Sequence, residues 1–600
     1  MFATTLLSCS TPAEESLSGD GSESNGTDES TMDGTSNSVS SDIDESFAND
    51  GENKYTPNVD TSKFPENAFP VFDGSAYTLK VVVSQKASAT VRKIATNLRG
   101  ELKKKTKTTI SESTDYDKYD ANAYEILIGE TNHIESTSVY NATDYNNYGI
   151  KTIGKKIIFY FSSSDEGNEL VSVFMNALKS NAQKAFWIEG SLSTSKITSV
   201  NLTGLPKYPS SKGPTDCGDD TQMLVATSTN KSEFDTYCQT LVSSGYAEYS
   251  KRENIDGNYF RTYTKGSVAV TAYFSTERKQ ARIIVGPIKD IPSKDTDTTK
   301  ETFTPSVTLV GPSESVSGSL TIIYMLANGK FLIIDGGIIL ADRIYKELRE
   351  LQPNATELTI AGWFISHPHN DHQDGIEYFL EQHSHEVNIE KVFFNYAEAD
   401  YYNNPTDSDH KNEREGSRVT RLHQYLEKYL SRSTTVIKPH TGQVYNFGSA
   451  SVEIISTVED LLPTTMPYVN DTSMVIRVTV AGQSNMLLGD ASTNMKNIIR
   501  SMYGSHVKSD MVTLAHHGVW DTTPELYKEI KGKVVLWPNN TAGARMYYTE
   551  KSTSSGARKA IQAALDNATD VFLAKGTDTK LNLPYTPVGN KQSFINSTLK

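Results

Sequence analysis

Four side chains that can bind a metal ion stand within six residues, directly after an apolar segment predicted to form a strand over residues 358–365. They are His367, His369, Asp371 and His372. In a tight loop His367 and His369, two positions apart, can share one ion, while Asp371 and His372 face a neighbouring ion. Imidazole and carboxylate ligands together suit zinc. A His-rich surface loop would not require this order after a strand, so the spacing predicts a metal site.

Two further groups of potential ligands follow later in the chain, each at the end of a predicted strand. Asp490 follows the strand predicted over residues 485–488, and its two carboxylate oxygens can bridge two ions. His516 and His517 follow the strand predicted over residues 511–514. Because rigid strands bring such residues to one edge of a sheet, the three groups together predict a preorganised metal centre.

The elements that must position these residues alternate between strands and helices after residue 305. Two apolar strands are joined through Asn328-Gly329, a strong two-residue hairpin signal, and the second strand runs into Asp335. Gly375 permits a turn from the metal-binding loop into the next helix. The pattern predicts strands over residues 320–326, 331–334 and 473–480, and helices over residues 376–380 and 417–430.

These motifs together resemble the metallo-β-lactamase superfamily over residues 305–585. The resemblance implies an α/β fold in which two sheets pack between helices, an αββα sandwich, with two Zn²⁺ ions, and the same ligands also suit Mn²⁺ or Fe. It further implies that a hydroxide held by the two ions attacks phosphorus or a carbonyl carbon. The resemblance implies that His367 and His369 bind the first metal and that Asp371, His372 and His517 bind the second, with Asp371 beside the attacking water. Asp490 is implied to be the carboxylate that bridges the two metals. Asp335 is implied to be an acceptor that orients a ligand, and His516 to face the substrate.

One position departs from the superfamily pattern. A third His usually binds the first metal, but residues 468–473, which occupy its place, contain no His. His440 lies upstream and is interpreted as a turn residue, with a ligand role as the alternative. The first metal is therefore expected to have three protein ligands and an open position for a substrate oxygen. The Asn-x-x-Ser, Gly-Asp and His-His-Gly motifs are similar to those of competence DNA-uptake hydrolase domains and cell-wall phosphorylcholine esterases, which both act on phosphodiesters.

The beginning of the chain resembles the end of a bacterial lipoprotein signal peptide. Leu6-Leu7-Ser8-Cys9 has the form of a lipobox, although no Lys or Arg precedes it. Residues 10–53 contain twelve acidic residues and no Lys or Arg, which accounts for most of the net charge of −15. Such a polar tract cannot bury a core. We therefore expect a signal-peptide remnant over residues 1–9, a lipid on Cys9 and a disordered tether over residues 10–60. These features would place the protein at the extracellular face of a bacterial membrane. The alternative is that the N-terminal segment is a disordered cytosolic tail.

Two smaller modules are predicted between the tether and the metal-binding part. The first is an α/β module over residues 65–205, with a helix around residues 91–102 and a hairpin turning at Gly154-Lys155. The second is a β-α-β-β module over residues 217–290, interpreted as a spacer or a binding module. Contact with a glycan is one expectation for the two modules.

The two cysteines that follow Cys9 fall in the second module. Phe234, Tyr237, Cys238 and Leu241 have the i, i+3, i+4, i+7 spacing of the apolar face of a helix. Cys238 is therefore interpreted as a core residue, with a disulfide to Cys217 as the alternative.

The expected function is that of an extracellular, membrane-tethered metal hydrolase, with its catalytic domain over residues 305–600. Its expected substrates are molecules with phosphodiester bonds, among them cell-wall polymers and nucleic acids. Two alternatives remain, namely hydrolysis of another ester, a lactone, a thioester or a β-lactam, and a surface glycan-binding protein whose hydrolase domain is inert. Tyr396, Tyr401, Tyr402 and Trp520 are interpreted as packing residues, with a cage for a quaternary ammonium as the alternative. The remaining histidines of this part are interpreted as surface or core residues, namely His383, His385, His410, His423 and His506.

Overall fold

The computed structural model describes residues 60–600 with short gaps, which are residues 86, 88, 143–146, 162–163, 198–204, 295–296, 313–314, 317, 339, 520–522, 551–554 and 575. The predicted lipobox with Cys9, the tether up to residue 59 and Trp520 lie outside the described residues. Pro57–Lys600 forms one compact unit. Within the described part of the chain, no helix combines the length and the apolar character that crossing a membrane requires.

The first module is an α/β layer. Its elements are β1 (Phe69–Phe72), β2 (Lys80–Val83), α1 (Ala89–Thr106), β3 (Glu112–Thr114), β4 (Glu125–Ile128), α2 (Ile134–Ala142), β5 (Asn147–Ile153), β6 (Lys156–Tyr160), α3 (Ser164–Ala177), β7 (Leu178–Ser180), β8 (Phe186–Ile188) and β9 (Ser193–Ile197). One sheet has the order β3-β2-β4-β6-β5-β9, and a small sheet has the order β1-β8-β7. The predicted hairpin is confirmed, because β5 and β6 pair antiparallel from Ile153 opposite Lys156. Ile94, Leu98 and Leu102 of α1 are fully buried, as their periodicity predicts.

The second module is a six-stranded antiparallel sheet with one helix. Its elements are β10 (Ser211–Gly218), β11 (Thr221–Thr227), α4 (Lys231–Ser243), β12 (Ala247–Ile255), β13 (Asn258–Lys265), β14 (Val268–Ser275) and β15 (Gln280–Pro287), in the sheet order β10-β11-β15-β14-β13-β12. The residues that α4 buries are Phe234, Tyr237, Cys238 and Leu241, which confirms the predicted apolar face. Cys217 and Cys238 are both free, so the alternative of a disulfide between them is wrong.

The two outermost strands of this sheet, β10 and β12, were not expected from the sequence. Most side chains of β12 are exposed, and its sequence shows no alternation of apolar and polar residues. The sequence of β10 contains Gly213 and Pro214, which are rare inside strands. Edge strands with one neighbour need no continuous apolar face, so periodicity does not reveal them.

The C-terminal part contains two large sheets. The first has the order β22-β21-β19-β18-β17-β16-β30, with β20 beside β19, and the second has the order β23-β24-β25-β26-β27-β28-β29. The strands are β16 (Ser306–Leu309), β17 (Ile322–Met325), β18 (Phe331–Ile334), β19 (Leu358–Phe364), β20 (Val387–Ile389), β21 (Lys391–Phe393), β22 (Thr435–Ile437), β23 (Val444–Phe447), β24 (Ala450–Ser456), β25 (Val475–Val480), β26 (Gln483–Leu487), β27 (Met511–Thr513), β28 (Val534–Trp537), β29 (Asp570–Leu573) and β30 (Thr579–Asn582). The helices are α5 (Ala341–Leu351), α6 (Asn370–His383), α7 (Gly416–Tyr429), α8 (Thr493–Met502), α9 (Pro524–Ile530), α10 (Thr541–Arg545), α11 (Gly556–Asn567) and α12 (Lys591–Phe594).

Successive strand residues alternate between two apolar clusters, so each of these two sheets is covered on both faces. In β17, Ile322 belongs to the cluster between the sheets, whereas Ile323 belongs to the cluster that includes the helices. In β28 the same alternation places Leu536 between the sheets and Val535 on the helix side. The layers are therefore helix, sheet, sheet and helix, as expected for an αββα sandwich.

The second module packs onto this part as a further layer rather than as a separate spacer. Phe260, Tyr273 and Ile284, on one face of its sheet, share an apolar cluster with the helix side of the sandwich. Arg282 is 2% exposed, and its guanidinium donates to the carbonyl oxygens of Asp460 at 3.0 Å and Leu462 at 2.6 Å, and also to that of Glu459. A buried guanidinium with these partners fixes the module against the sandwich.

Helix α6 begins earlier than its sequence predicts. It starts at Asn370 rather than after Gly375, so Asp371 and His372 lie in its first turn. An acidic residue in this turn is favoured by the positive end of the helix dipole. Gly375 serves a different purpose, since a Cβ there would lie 1.7 Å from the Gly336 carbonyl oxygen. The absence of a side chain therefore lets α6 approach the loop that follows β18.

Candidate metal centre

The predicted ligands follow strand ends on both sheets of the sandwich. His367 and His369 lie between the end of β19 and the start of α6. Asp490 follows β26, and His517 follows β27, its neighbour in the second sheet. Because β19 belongs to the first sheet, the centre forms where the two facing sheets meet at one end.

The structure brings all six predicted ligands into two groups that share Asp490. Asp371, His372, Asp490 and His517 form one group, and their donor atoms lie within 4.8 Å of one another. His367, His369 and Asp490 form the other group within the same limit. We call the set with His367 the first group and the set with His372 the second group. The pairing of residues is the one that the sequence predicts, and the role of these residues as ligands stays a prediction.

The second group is arranged so that two ring nitrogens face each other. His372 Nδ1 lies 2.8 Å from Asp335 Oδ2, and His517 Nδ1 lies 3.1 Å from the Pro538 carbonyl oxygen. Since both partners are acceptors, each neutral ring carries its proton on Nδ1 and directs the Nε2 lone pair inward.

The two inward Nε2 atoms are 3.2 Å apart. Two lone pairs at this distance repel each other unless a cation or a proton lies between them. Ligand nitrogens about 2.05 Å from a tetrahedral zinc would be about 3.3 Å apart. Asp371 Oδ2 lies 2.9 Å from His517 Nε2, and Asp490 Oδ1 lies 3.0 Å from His372 Nε2. The donor set of this group therefore fits a metal ion.

Asp335, which contacts His372 in the second group, also supports the first group. Asp335 accepts from the Ser366 backbone N–H at 2.7 Å and from its hydroxyl at 2.9 Å. Ser366 Oγ in turn lies 3.0 Å from His367 Nδ1, so one buried carboxylate orients a His in each group. His367 Nε2 lies 3.1 Å from His369 Nδ1 and 3.9 Å from Asp490 Oδ2. Asp335 contacts a candidate ligand, as the resemblance implies, whereas the sequence does not predict the contact between Ser366 and His367.

Burial and neighbouring charges together set the protonation of the candidate ligands. Burial lowers the pKa of His367 well below its ordinary value and also lowers the pKa of His369. For Asp490, burial alone would raise the pKa, but His372 and His517 hold it well below its ordinary value. Burial alone would also lower the pKa of His372 and His517, but the Asp490 carboxylate raises the pKa of both rings above its ordinary value. Metal ions bind neutral imidazoles and ionised carboxylates, so a metal ion at the second group would displace protons from these two rings.

His516 and His517 occupy a strained turn. Their backbone dihedrals are φ 49° and ψ 42° for His516, and φ 56° and ψ 18° for His517, which is the left-handed region. Trp537 Nε1 at 2.8 Å and Asn539 Nδ2 at 2.9 Å donate to the His517 carbonyl oxygen and hold the turn. Non-glycine residues in this region persist where surrounding bonds fix them, commonly at functional sites. The turn directs His517 into the second group and leaves the His516 side chain 16% exposed, with Nε2 3.8 Å from Asp490 Oδ2.

His440 belongs to neither group. Its Nδ1 lies 3.0 Å from both carboxylate oxygens of Glu459, and its carbonyl oxygen accepts from Gln443 N–H in a turn. The structure thus agrees with the interpretation of His440 as a turn residue, and the alternative ligand role is wrong.

The tyrosines considered for an aromatic cage are core residues. Tyr396, Tyr401 and Tyr402 are at most 4% exposed. The Tyr396 hydroxyl donates to Gln373 Oε1 at 3.0 Å, and the Tyr401 hydroxyl donates to the Thr464 carbonyl oxygen at 3.1 Å. Their rings therefore pack the inserted segment, as interpreted from the sequence.

Tyr468 and His410 were not expected near the centre. The Tyr468 ring centroid lies 6.4 Å from that of His369 and 6.5 Å from that of His516. His410 stacks on Tyr468, with 3.6 Å between centroids and 20° between planes. The two rings lie beside the ligands, although they are 58 positions apart in the sequence, and no local pattern signals the contact.

No protein-family model matches the chain. No curated protein matches it significantly. Among solved structures, it is similar to a mutant of CmlA β-hydroxylase, with 14% identity, a TM-score of 0.24, and coverage of 53% of this chain and 62% of that one. It is also similar to human tRNase Z, short form, with 13% identity, a TM-score of 0.24, and coverage of 46% and 99%, respectively. A long-form RNase Z from yeast gives 9% identity, a TM-score of 0.27, and coverage of 51% and 44%. The chain therefore spans less than two thirds of the length of the CmlA and yeast proteins.

Proposed function

We propose that residues 305–600 form a dinuclear metal hydrolase of the metallo-β-lactamase superfamily that cleaves phosphodiester bonds. The observation that carries the proposal is the position of the Asp490 carboxylate between the two ligand groups. Its Oδ1 lies 3.0 Å from His372 Nε2 in the second group, and its Oδ2 lies 3.9 Å from His367 Nε2 in the first group. Oδ2 also lies 3.5 Å from His517 Nε2 of the second group, so the carboxylate lies beside ligands of both groups. A carboxylate in this position is suited to bridge two cations.

The two groups would hold two cations, which when bound would supply an activated water at neutral pH and stabilise negative charge on a phosphoryl oxygen. The chain's own residues set the geometry around them. Asp335 fixes the ring proton of His372 on Nδ1, and the Pro538 carbonyl oxygen does the same for His517. His516 is placed at the rim, next to Asp490, where its ring can contact an oxygen of the substrate.

The partly exposed residues mark the side from which we expect a substrate to approach. The Asp371 side chain is 25% exposed and that of His516 is 16% exposed, while those of His367 and His372 are fully buried. Tyr468 and its stacked partner His410 line the centre near His369 and His516. These side chains would orient the group attached to the phosphoryl centre.

The test is hydrolysis of bis-p-nitrophenyl phosphate by the full chain after loading with Zn²⁺, Mn²⁺ or Fe²⁺. We expect turnover by the wild type and its loss in Asp490→Asn, with Asp566→Asn as an exposed control that keeps activity. A panel with a lactone, a thioester and a β-lactam separates phosphodiesterase activity from the other hydrolases of this fold. Metal-loaded protein without turnover of any of these substrates would contradict the proposal.

We also propose that the chain is a lipoprotein, anchored through Cys9 at the extracellular face of a bacterial membrane. The support is the Leu6-Leu7-Ser8-Cys9 sequence followed by a long acidic tract. Metabolic labelling with a radioactive fatty acid should mark the wild type and leave Cys9→Ser unlabelled. Glycan contact by the two N-terminal modules stays a prediction, to be tested on the full chain because the second module is packed against the sandwich.

A further inference from the structure

The two ligand groups differ in the number of donors that the chain offers them. The second group has four donors, whereas the first has His367, His369 and the shared Asp490. Among the described residues, no third imidazole joins the first group. His440 pairs with Glu459 instead. If the described part of the chain supplies a further donor to the first group, that donor is therefore not an imidazole.

Asn470 lies in the segment that lacks the third His. Its side chain is fully buried in a short 3-10 helix, Val469–Thr472, just before β25. Its Nδ2 lies 3.1 Å from the Tyr468 hydroxyl and 3.3 Å from His516 Nε2. His516 Nε2 in turn lies 3.8 Å from Asp490 Oδ2, so one imidazole ring separates the Asn470 amide from the carboxylate that both groups share.

The amide oxygen of Asn470 is unsatisfied by the protein. Oδ1 is buried, and no group in the described part of the chain donates a hydrogen bond to it. A buried acceptor without a partner costs about 1–3 kcal/mol. A cation beside the oxygen would remove this cost, whereas a purely packing role would be better served by an apolar side chain.

The backbone around Asn470 is held in place on both sides. The Asp471 carboxylate accepts from Asn494 Nδ2 at 2.8 Å and from Met495 N–H at 3.0 Å, at the start of α8. The Ser473 hydroxyl oxygen accepts from the Asp490 N–H at 3.1 Å. These bonds tie the segment to the loop that carries Asp490, so the Asn470 side chain is preorganised next to the centre.

We propose that Asn470 supplies an amide-oxygen donor to the cation of the first group, in the place of a third imidazole. The inference rests on the dinuclear centre proposed above. An amide oxygen is a harder ligand than an imidazole nitrogen and suits Mn²⁺ better than it suits Zn²⁺. The first site should therefore hold Zn²⁺ more weakly than the second site and accept Mn²⁺ readily.

The test is a titration of the chelator-stripped full chain with Zn²⁺ and with Mn²⁺, followed by calorimetry and by elemental analysis of the dialysed protein. We expect two ions in the wild type. Asn470→Ala should keep one ion at wild-type affinity and bind the other at least about tenfold more weakly. His367→Ala should weaken the same ion, and Asn470→Asp should bind it more tightly. Thr472→Val is the matched control, because Thr472 lies in the same buried helix and its hydroxyl bonds to the Val469 carbonyl oxygen and to Tyr402, neither of which is a candidate ligand.

The outcomes separate this inference from the proposed function. A wild type that binds neither metal overturns the dinuclear centre. A wild type with two ions, together with an Asn470→Ala variant whose two affinities are unchanged, overturns the Asn470 assignment and leaves the centre standing. If thermal unfolding shows that stripped Asn470→Ala is not folded, Asn470→Asp decides, since unchanged affinity of the first site there also overturns the assignment.

Discussion

Replacing Asp335 by Asn tests whether one buried carboxylate organises the whole metal centre. Asp335 is fully buried and accepts three hydrogen bonds, from Ser366 N–H at 2.7 Å, from Ser366 Oγ at 2.9 Å and from His372 Nδ1 at 2.8 Å. Asn is nearly isosteric, but its amide nitrogen is a donor. Facing His372 Nδ1, that donor favours the tautomer with the ring proton on Nε2, the atom that must bind the metal.

The size of the effect follows from the role of such partners. Loss of an orienting acceptor lowers metal affinity or activity by about tenfold to hundredfold, which corresponds to about 1.4–2.7 kcal/mol. Because the Ser366 hydroxyl donates to Asp335 and also contacts His367, the metal affinity of the first group should fall as well, although less strongly. The assay is a competition titration of the stripped protein with Zn²⁺ and a chelating dye, together with kcat/KM for the phosphodiester substrate.

Asp570→Asn is the matched control for this prediction. Asp570 is also fully buried in a strand of the sandwich, and it accepts from Val588 N–H, Gly589 N–H and the Tyr585 hydroxyl, each at 2.7 Å. Its substitution should lower the free energy of unfolding without changing metal affinity. If Asp335→Asn binds both ions as tightly as the wild type does, the argument from ring tautomers is refuted.

Two further predictions concern stability. Burial alone would raise the pKa of Glu453, but His506, Arg252 and Arg477 hold it at about 2, against an ordinary value of 4.5. The carboxylate therefore stabilises the fold above pH 4.5, and this contribution is lost as the pH falls toward 2. The free energy of unfolding of Glu453→Gln should differ from that of the wild type by roughly 3 kcal/mol at neutral pH and by little near pH 2, and a pH-independent difference would contradict this. Arg282→Met leaves three carbonyl oxygens of the sandwich without their donor and should cost at least about 3 kcal/mol in urea unfolding, with two metal ions still bound. Lys279→Met, at an exposed position in the turn between β14 and β15, is the control, and equal losses for the two variants would show that Arg282 does not fix the module.

Local sequence determined much of the fold and most of the candidate centre. The face of α4 follows from the spacing of Phe234, Tyr237, Cys238 and Leu241, because helical periodicity is fixed by the backbone itself. The turn between β17 and β18 follows from Asn328-Gly329, since Gly329 has φ +80°, which glycine adopts without strain. The two ligand groups follow from short motifs at strand ends, because the ends of neighbouring strands meet at one edge of a sheet.

Other features were decided only by tertiary packing. The exposed strand β12 has no apolar alternation, so only its pairing with β13 reveals it. The sequence of the second module predicts a spacer or a binding module, and only the shared apolar cluster and the contacts of Arg282 show that it packs as a layer of the same unit.

In the candidate metal centre, too, local sequence determines some features and tertiary packing determines others. The sequence by itself determined which residues could bind metal, because ligand chemistry and strand termination are local properties. The stacking of His410 on Tyr468, the support of both groups by Asp335 and the unpaired oxygen of Asn470 were decided by the tertiary structure alone. These contacts join loops that are far apart in the chain, and their geometry depends on how the two sheets and the inserted segment pack, which no local spacing encodes.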